Sequence, residues 1–359
     1  MLAGTILMPL LCGGGFAQTP APPVEPPRFE IERVADGVYA AIRTEPAGMM
    51  FDANSVFIVN DQDVVVVDTN ITPSSARASL AALRKITSKP VSHVINTHWH
   101  DDHIIGNQVY REAFPDAQFV GQASTREELP TVGAANRKLL LERGPQIVTQ
   151  LRVSVDQQIS MTGGPLTDEE RVSYLSDADA ANRYFAEAST FQVVLPTISV
   201  TDRLSLKRGH RAIDVLYFGR AHTAADLVVH LPADRLVIAG DLVVAPIPLV
   251  GSTSHPLEFG AALEQLLALK PAKIVPGHGP VMRDDSYVRQ ELRLLESLKH
   301  QVETSVARGD TLEETRKVVD LDPMRKLFAG DSQLKGFIFQ NYVTSSGVSA
   351  AYRDALARK

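Results

Sequence analysis

The sequence predicts a layered α/β protein: a four-layered αββα sandwich in which two β-sheets pack face to face and helices cover both outer sides. Three observations predict it. Short apolar runs rich in β-branched residues recur in both halves of the chain. Segments with helical periodicity lie between and after those runs. The order is strands, helix, strand, a long helical block, more strands, helix and strand, and two mixed halves of this kind bury their apolar faces by stacking sheet on sheet beneath outer helices.

The elements follow in order. Residues 29–34 and 37–43 read as short strands. Residues 55–59 and 64–68 are apolar β-branched runs joined by Asn60, Asp61, Gln62 and Asp63, which is hairpin turn chemistry. Pro73 opens a helix to about Ile86, with Ala76, Leu80, Leu83 and Ile86 at helical spacing. Residues 91–96 form a further buried strand. From about 122 to 190 the pattern becomes helical, and Thr167 followed by Asp168, Glu169 and Glu170 is a helix start of the capping-box kind. This block is predicted to be a helical insertion. Strand patterns return at 193–199, 203–206 and 212–218. Residues 227–231 and 236–239 form a second hairpin, 256–269 a helix, and 273–275 a short strand running into Pro276, Gly277, His278 and Gly279. Residues 29–284 are read as the main domain and 285–359 as a C-terminal helical extension. Its Leu292, Leu295, Leu298 and Val302 form one stripe that packs on an outer face.

Composition bounds the function. The chain has 359 residues, 44 % hydrophobic and 22 % charged, as in a soluble globular protein. A formal net charge of -6 argues against a nucleic-acid binder, which carries a basic surface. It leaves an anionic substrate open, because a bound metal outweighs a modest global charge locally. Residues 1–17 contain an apolar run followed by small residues and end in Gly15, Phe16 and Ala17. They read as a secretory signal and predict a periplasmic or secreted protein. The run is too short for a membrane span, which needs ~20 apolar residues. The single cysteine, Cys12, lies inside it, and the bulky Leu11 before it disfavours a lipid anchor. Cleavage after Ala17 leaves no cysteine, so a metal site must then be built from His, Asp and Glu. Residues 18–28, with Pro20, Pro22, Pro23, Pro26 and Pro27, form an extended linker.

The chemistry is concentrated at Thr97, His98, Trp99, His100, Asp101, Asp102 and His103, directly after a buried strand. Alternation along an extended segment puts His98 and His100 on one side and Trp99 on the other, as packing. The turn through Asp102 and His103 then adds a carboxylate and a third imidazole. Imidazole and carboxylate ligands suit zinc, with iron or manganese as alternatives.

This cluster resembles the H-x-H-x-D-H motif of the metallo-β-lactamase superfamily, present here as His98, His100, Asp102 and His103. The later family ligands appear in order as His222, Asp241 at the end of the second hairpin, and His278. The resemblance covers roughly residues 29 to 282 apart from the helical block. It implies that His98, His100 and His222 hold one ion, that Asp102, His103 and His278 hold the other, and that Asp241 bridges two Zn2+ around a shared hydroxide. Asp102 would also orient this nucleophile as the catalytic residue. Asp101 lies outside the ligand set, as a loop residue or one that supports the ligands from behind. The implied function is a dinuclear metallohydrolase cleaving a small ester, thioester or lactone. His100, where the flavodiiron branch has Glu, favours hydrolysis over oxygen chemistry. Asp241, where one zinc β-lactamase branch has Cys, points towards glyoxalase II and related esterases. The surroundings of His222, from Ala221 to Asp226, also resemble the β-lactamase motif, so a periplasmic β-lactamase is the second reading. An iron-dependent sulfur dioxygenase and a non-catalytic metal-binding protein are the others.

Other residues carry lesser expectations. Isolated His93, His210, His230 and His300 are structural or incidental, since histidine has many uses besides ligation. His255 sits in a loop between Asp241 and the helix leading to His278 and is a candidate substrate contact. Asp68 and Asn54 flank the site, either supporting the ligand loops or capping local turns. The helical block between His103 and His222 either covers the metal cleft or serves packing and dimerisation. The sequence leaves the oligomeric state open.

Overall fold

Period-two alternation of apolar side chains assigns each strand residue to a layer. A computed structural model of the chain describes residues 28–358; the predicted signal segment and all but the last residue of the linker lie outside the described residues. The first sheet contains β1 (Phe29–Ala35), β2 (Val38–Arg43), β3 (Ser55–Val59), β4 (Val64–Val67), β5 (Val91–Ile95), β6 (Gln118–Gln122) and β7 (Ile198–Val200), side by side in that order. The second contains β8 (Arg203–Arg208), β9 (Arg211–Tyr217), β10 (Leu227–Leu231), β11 (Leu236–Val244) and β12 (Lys273–His278), in the order β12-β11-β10-β9-β8. The helices are α1 (Pro73–Ile86), α2 (Asp101–Ile104), α3 (Asn107–Ala113), α4 (Thr125–Glu128), α5 (Ala134–Gln157), α6 (Asp168–Glu187), α7 (Pro256–Ala268), α8 (Ser286–Arg308), α9 (Leu312–Val318), α10 (Asp322–Ala329), α11 (Gln333–Phe339) and α12 (Ser346–Ala357).

Three apolar layers make the sandwich. Val56, Ile58, Val65 and Val67 of the first sheet meet Ile213, Val215, Val229 and Ile238 of the second in the central layer. Their neighbours Phe57, Val64 and Val66 point the other way and pack with Ala76 and Leu83 of α1 and Val109 and Tyr110 of α3. Val228, Val237 and Ala239 face outward from the second sheet onto Leu263 and Leu266 of α7 and Leu294, Leu295 and Leu298 of α8. The fold is thus the predicted αββα sandwich, with helices at 125–190 and from 286 onward.

The boundaries differ from expectation in physically clear ways. The hairpin between β3 and β4 is antiparallel in register Val59 to Val64, as its turn chemistry requires. The strand predicted at 193–199 contracts to Ile198–Val200, because Pro196 has no N–H for a ladder. β6 escaped notice in the sequence, since Gln118, Gly121 and Gln122 interrupt its apolar pattern. β11 runs five residues past the expected end at residue 239, so Asp241 lies inside a fully buried strand instead of closing a hairpin.

Candidate metal centre

Four chain segments meet at one edge of the sandwich. His98, His100, Asp102 and His103 lie on the turn that leaves β5, His222 on the loop between β9 and β10, Asp241 in β11 and His278 at the end of β12. Gly240, at φ 54°, permits the close approach, because a Cβ there would stand 2.5 Å from the Cβ of Thr97.

The side chains sort into two groups among the described residues. His98, His100, His222 and Asp241 form one, and Asp102, His103 and His278 the other. Asp241 spans them. Its Oδ2 is 3.9 Å from His98 Nε2 and 3.5 Å from His222 Nε2, while its Oδ1 is 3.3 Å from Nε2 of both His103 and His278. Asp102 Oδ2 lies 3.2 Å from His103 Nε2 and 3.1 Å from His278 Nε2. All seven predicted residues are therefore brought together.

The imidazoles are oriented from behind. His222 Nδ1 faces the Leu249 carbonyl at 3.1 Å, His278 Nδ1 the Asp52 carbonyl at 3.1 Å, and His103 Nδ1 the Asp68 carboxylate at 2.9 Å. Each contact turns Nε2 towards the shared centre. His100 is reversed, with Nε2 3.2 Å from Thr253 Oγ1 and Nδ1 3.0 Å from Nε2 of both His98 and His222. His103 Nε2, His278 Nε2 and Asp241 Oδ1 are buried with no hydrogen-bond partner among the described residues. Unsatisfied polar atoms of this kind are costly unless something else completes them, and a divalent cation fits this donor set.

The electrostatics divide the same way. Burial, with neighbouring imidazoles, pushes His98 well below the ordinary histidine range and His100 down to about 3, so both are neutral, the form that ligates. Burial also opposes charge on His278, but Asp241 and Asp102 outweigh it and raise it to about 9; His103 moves up for the same reason. Burial disfavours the Asp102 and Asp241 carboxylates, yet the two histidines hold both well below the usual carboxylate range. Around the second group the Asp102 and Asp241 carboxylates therefore favour positive charge beside His103 and His278.

Asp68 and Asn54 support the ligand loops. Besides His103, Asp68 accepts the Thr97 N–H and hydroxyl, both at 2.8 Å. Asn54 donates to the Pro276 and Gly279 carbonyls at 3.0 and 2.9 Å, bracketing His278. Trp99 is 2 % exposed, packs with Ile104 and Leu129, and donates to Glu128 at 2.5 Å. His255 turns its Nδ1 towards Asp354 at 3.5 Å and does not line the cavity at the cluster; Thr253 is the residue of that loop that reaches a candidate ligand. His93 lies 2.8 Å from the Arg208 guanidinium, and His210 is mostly exposed.

A cavity of about 240 Å³ opens onto His100, Asp102 and Asp241. Met49, Met50, Phe51 and Leu249 wall one part of it, and Asn136, Arg137 and Leu140 of α5 another. Tyr342 also lines it, from the segment after α11, and its hydroxyl donates to the Met49 carbonyl at 3.0 Å. Sequence reasoning missed Arg137 and Tyr342. Both lie far from the motifs in the chain, and nothing in their local pattern marks them.

The sequence profile of the metallo-beta-lactamase superfamily matches residues 49–278, and the chain belongs to that superfamily. A linear primary-alkylsulfatase from a Pseudomonas species is 24 % identical over 244 residues, 65 % of this chain and 42 % of that enzyme. The chain thus spans about two fifths of the length of this curated relative. The metallo-beta-lactamase from Pontibacter korlensis superposes with a TM-score of 0.50 at 16 % identity, over 75 % of this chain and 99 % of that one. DIM-1 metallo-beta-lactamase exposed to ceftazidime gives 0.51 at 16 % identity, over 76 % and 99 %. These two likenesses concern the fold. No helix among the described residues is long and apolar enough to cross a membrane.

Proposed function

We propose that this chain is a dinuclear metallohydrolase that cleaves a small ester, thioester or lactone. The observation that carries it is the division of the Asp241 carboxylate, one oxygen towards each cluster. His98, His100, His222 and Asp241 Oδ2 would hold one ion, and Asp102, His103, His278 and Asp241 Oδ1 the other. Zinc suits these ligands best, and iron or manganese also fits them. Two such ions supply Lewis acidity and make hydroxide available at neutral pH, because coordination lowers the pKa of water towards ~7.

The protein's own groups do the rest. Asp102, with 18 % of its side chain exposed against 2 % for Asp241, is the carboxylate that would orient the nucleophile. Met49, Met50, Phe51, Leu140 and Leu249 receive an apolar arm and displace water from the cleft. The same apolar wall, taken with the alkylsulfatase relative, favours a second reading, cleavage of an alkyl sulfate ester. Fold likeness does not choose between these substrates or a β-lactam. The signal-like residues 1–17 support export to the periplasm or beyond, which the mass of the mature N-terminus tests.

One experiment decides the chemistry. The purified chain is assayed for metal content and for turnover of p-nitrophenyl hexanoate, a thioester, a lactone, nitrocefin and dodecyl sulfate, before and after chelation. Chelator-sensitive acyl cleavage is expected. Turnover of dodecyl sulfate alone moves the assignment to the second reading, and turnover of nitrocefin alone makes it a β-lactamase. A chain holding close to two metal equivalents that cleaves none of these substrates refutes the hydrolase reading.

A further inference from the structure

Helix α2 is a single turn, Asp101–Ile104, yet it carries Asp102 and His103, and His100 is its N-cap. One turn is not stable alone, because nucleation fixes several residues for one hydrogen bond. The His100 side chain makes no capping bond to this turn. Its geometry must be imposed from outside.

Two different parts of the protein impose it. The core holds the His103 end. The His103 carbonyl accepts from Thr69 N at 3.0 Å and Asn96 Nδ2 at 2.9 Å, and its ring faces Asp68. The helical block between β6 and β7 holds the Asp101 end. Arg137, in the first turn of α5, donates Nε to Asp101 Oδ2 at 2.8 Å and Nη2 to Oδ1 of the same carboxylate. Tyr184, near the end of α6, donates its hydroxyl to Asp101 Oδ2 at 2.5 Å. The Arg137 and Asp101 side chains are 15 % and 16 % exposed, and the Tyr184 ring is fully buried and edge-on to Phe191 at 5.1 Å. A planar two-point contact fixes direction as well as distance, which a lysine ammonium does not. Asp102 is thus bracketed by one clamp from the core and one from the helical block.

We propose that Arg137 is a positioning residue for the metal centre, acting through Asp101 and supported by Tyr184 to orient the Asp102 carboxylate. The inference rests on the metal-centre reading above, and not on which bond the centre cleaves.

The test is zinc affinity by competition with a chromophoric chelator, alongside thermal unfolding. Arg137→Met should weaken zinc binding about tenfold, the scale of lost support behind a metal ligand. Arg137→Lys should recover part of that loss. Tyr184→Phe, which keeps the ring and removes one hydrogen bond, should show a smaller loss at nearly unchanged Tm. Asp101→Asn combined with Arg137→Met should bind zinc no worse than the weaker single variant, because both act on one contact. A merely structural residue would lower Tm and leave zinc affinity alone. Unchanged affinity in both Arg137→Met and Tyr184→Phe, or additive losses in the double variant, overturns the proposal. If Arg137→Met does not fold, Tyr184→Phe decides alone. A parent chain that retains no zinc overturns this inference together with the metal-centre reading. A zinc-loaded chain inert towards every substrate, yet weakened by Arg137→Met, supports the inference and counts against hydrolysis only.

Discussion

The Asp68 carboxylate lies 2.9 Å from Nδ1 of His103, and this contact aims the opposite ring nitrogen at Asp102 and Asp241. Asp68 ends a buried strand at φ 59°, a conformation tolerated because its carboxylate is fully engaged by Thr97 and His103. Removing its charge while keeping its shape separates orientation from packing. Asp68→Asn is expected to lower metal affinity or turnover by roughly 10–100-fold. Chelator competition and kcat on the best acyl substrate check it.

Metal removal should destabilise the fold as well as abolish turnover. A ligand that binds only the folded state adds about 4 kcal/mol at a thousandfold excess over its Kd. Without it, the buried Nε2 atoms of His103 and His278 and Oδ1 of Asp241 have no hydrogen-bond partner among the described residues. Dialysis against a chelator should lower Tm by several degrees, and added zinc should restore both Tm and activity. Unchanged Tm after verified metal loss would count against a coordinated centre.

The helical block also holds the cavity wall, through Asp177. Its carboxylate accepts the Met49 N–H at 2.8 Å and the Met50 N–H at 3.1 Å. Burial outweighs these bonds and raises the group to about 7. Unfolded, it ionises near ~4. Between those values the folded chain keeps a proton that the unfolded chain has lost, so this group's stabilisation is present below pH ~4 and is lost as pH rises to ~7. Relative to Asp177→Asn, the parent protein should lose stability from pH 5 to pH 8. Urea unfolding of both across that range measures the difference, and parallel curves would refute the assignment.

Gly48 makes that contact possible. A Cβ at this position would stand 2.2 Å from Asp177 Oδ1. Gly48→Ala should therefore displace the Met49–Phe51 wall and raise KM for substrates with an apolar arm more than it lowers kcat. Tyr342→Phe, which loses the hydroxyl contacts to the Met49 and Gly48 carbonyls, should cost about 1 kcal/mol of stability. Steady-state kinetics and urea unfolding check the pair.

Local chemistry determined much of this protein from sequence. The β-branched runs at 55–59 and 64–68 and the turn residues between them gave the hairpin, because strand and turn preferences are local, but Val64–Val67 is buried on both faces and only the packed layers decide which valines meet the second sheet. The spacing of His98, His100, Asp102 and His103 put four metal-type side chains within one turn, and burial behind a strand needed only the apolar run before them. Tertiary structure alone decided the rest. Asp241 divides its oxygens because β11 and β12 pair in parallel and carry Asp241 and His278 to the same edge. Arg137, Tyr184 and Tyr342 reach the site from helices whose own sequences answer only to helical periodicity. Where such a side chain lands depends on how whole layers stack, and no short window of the chain encodes that.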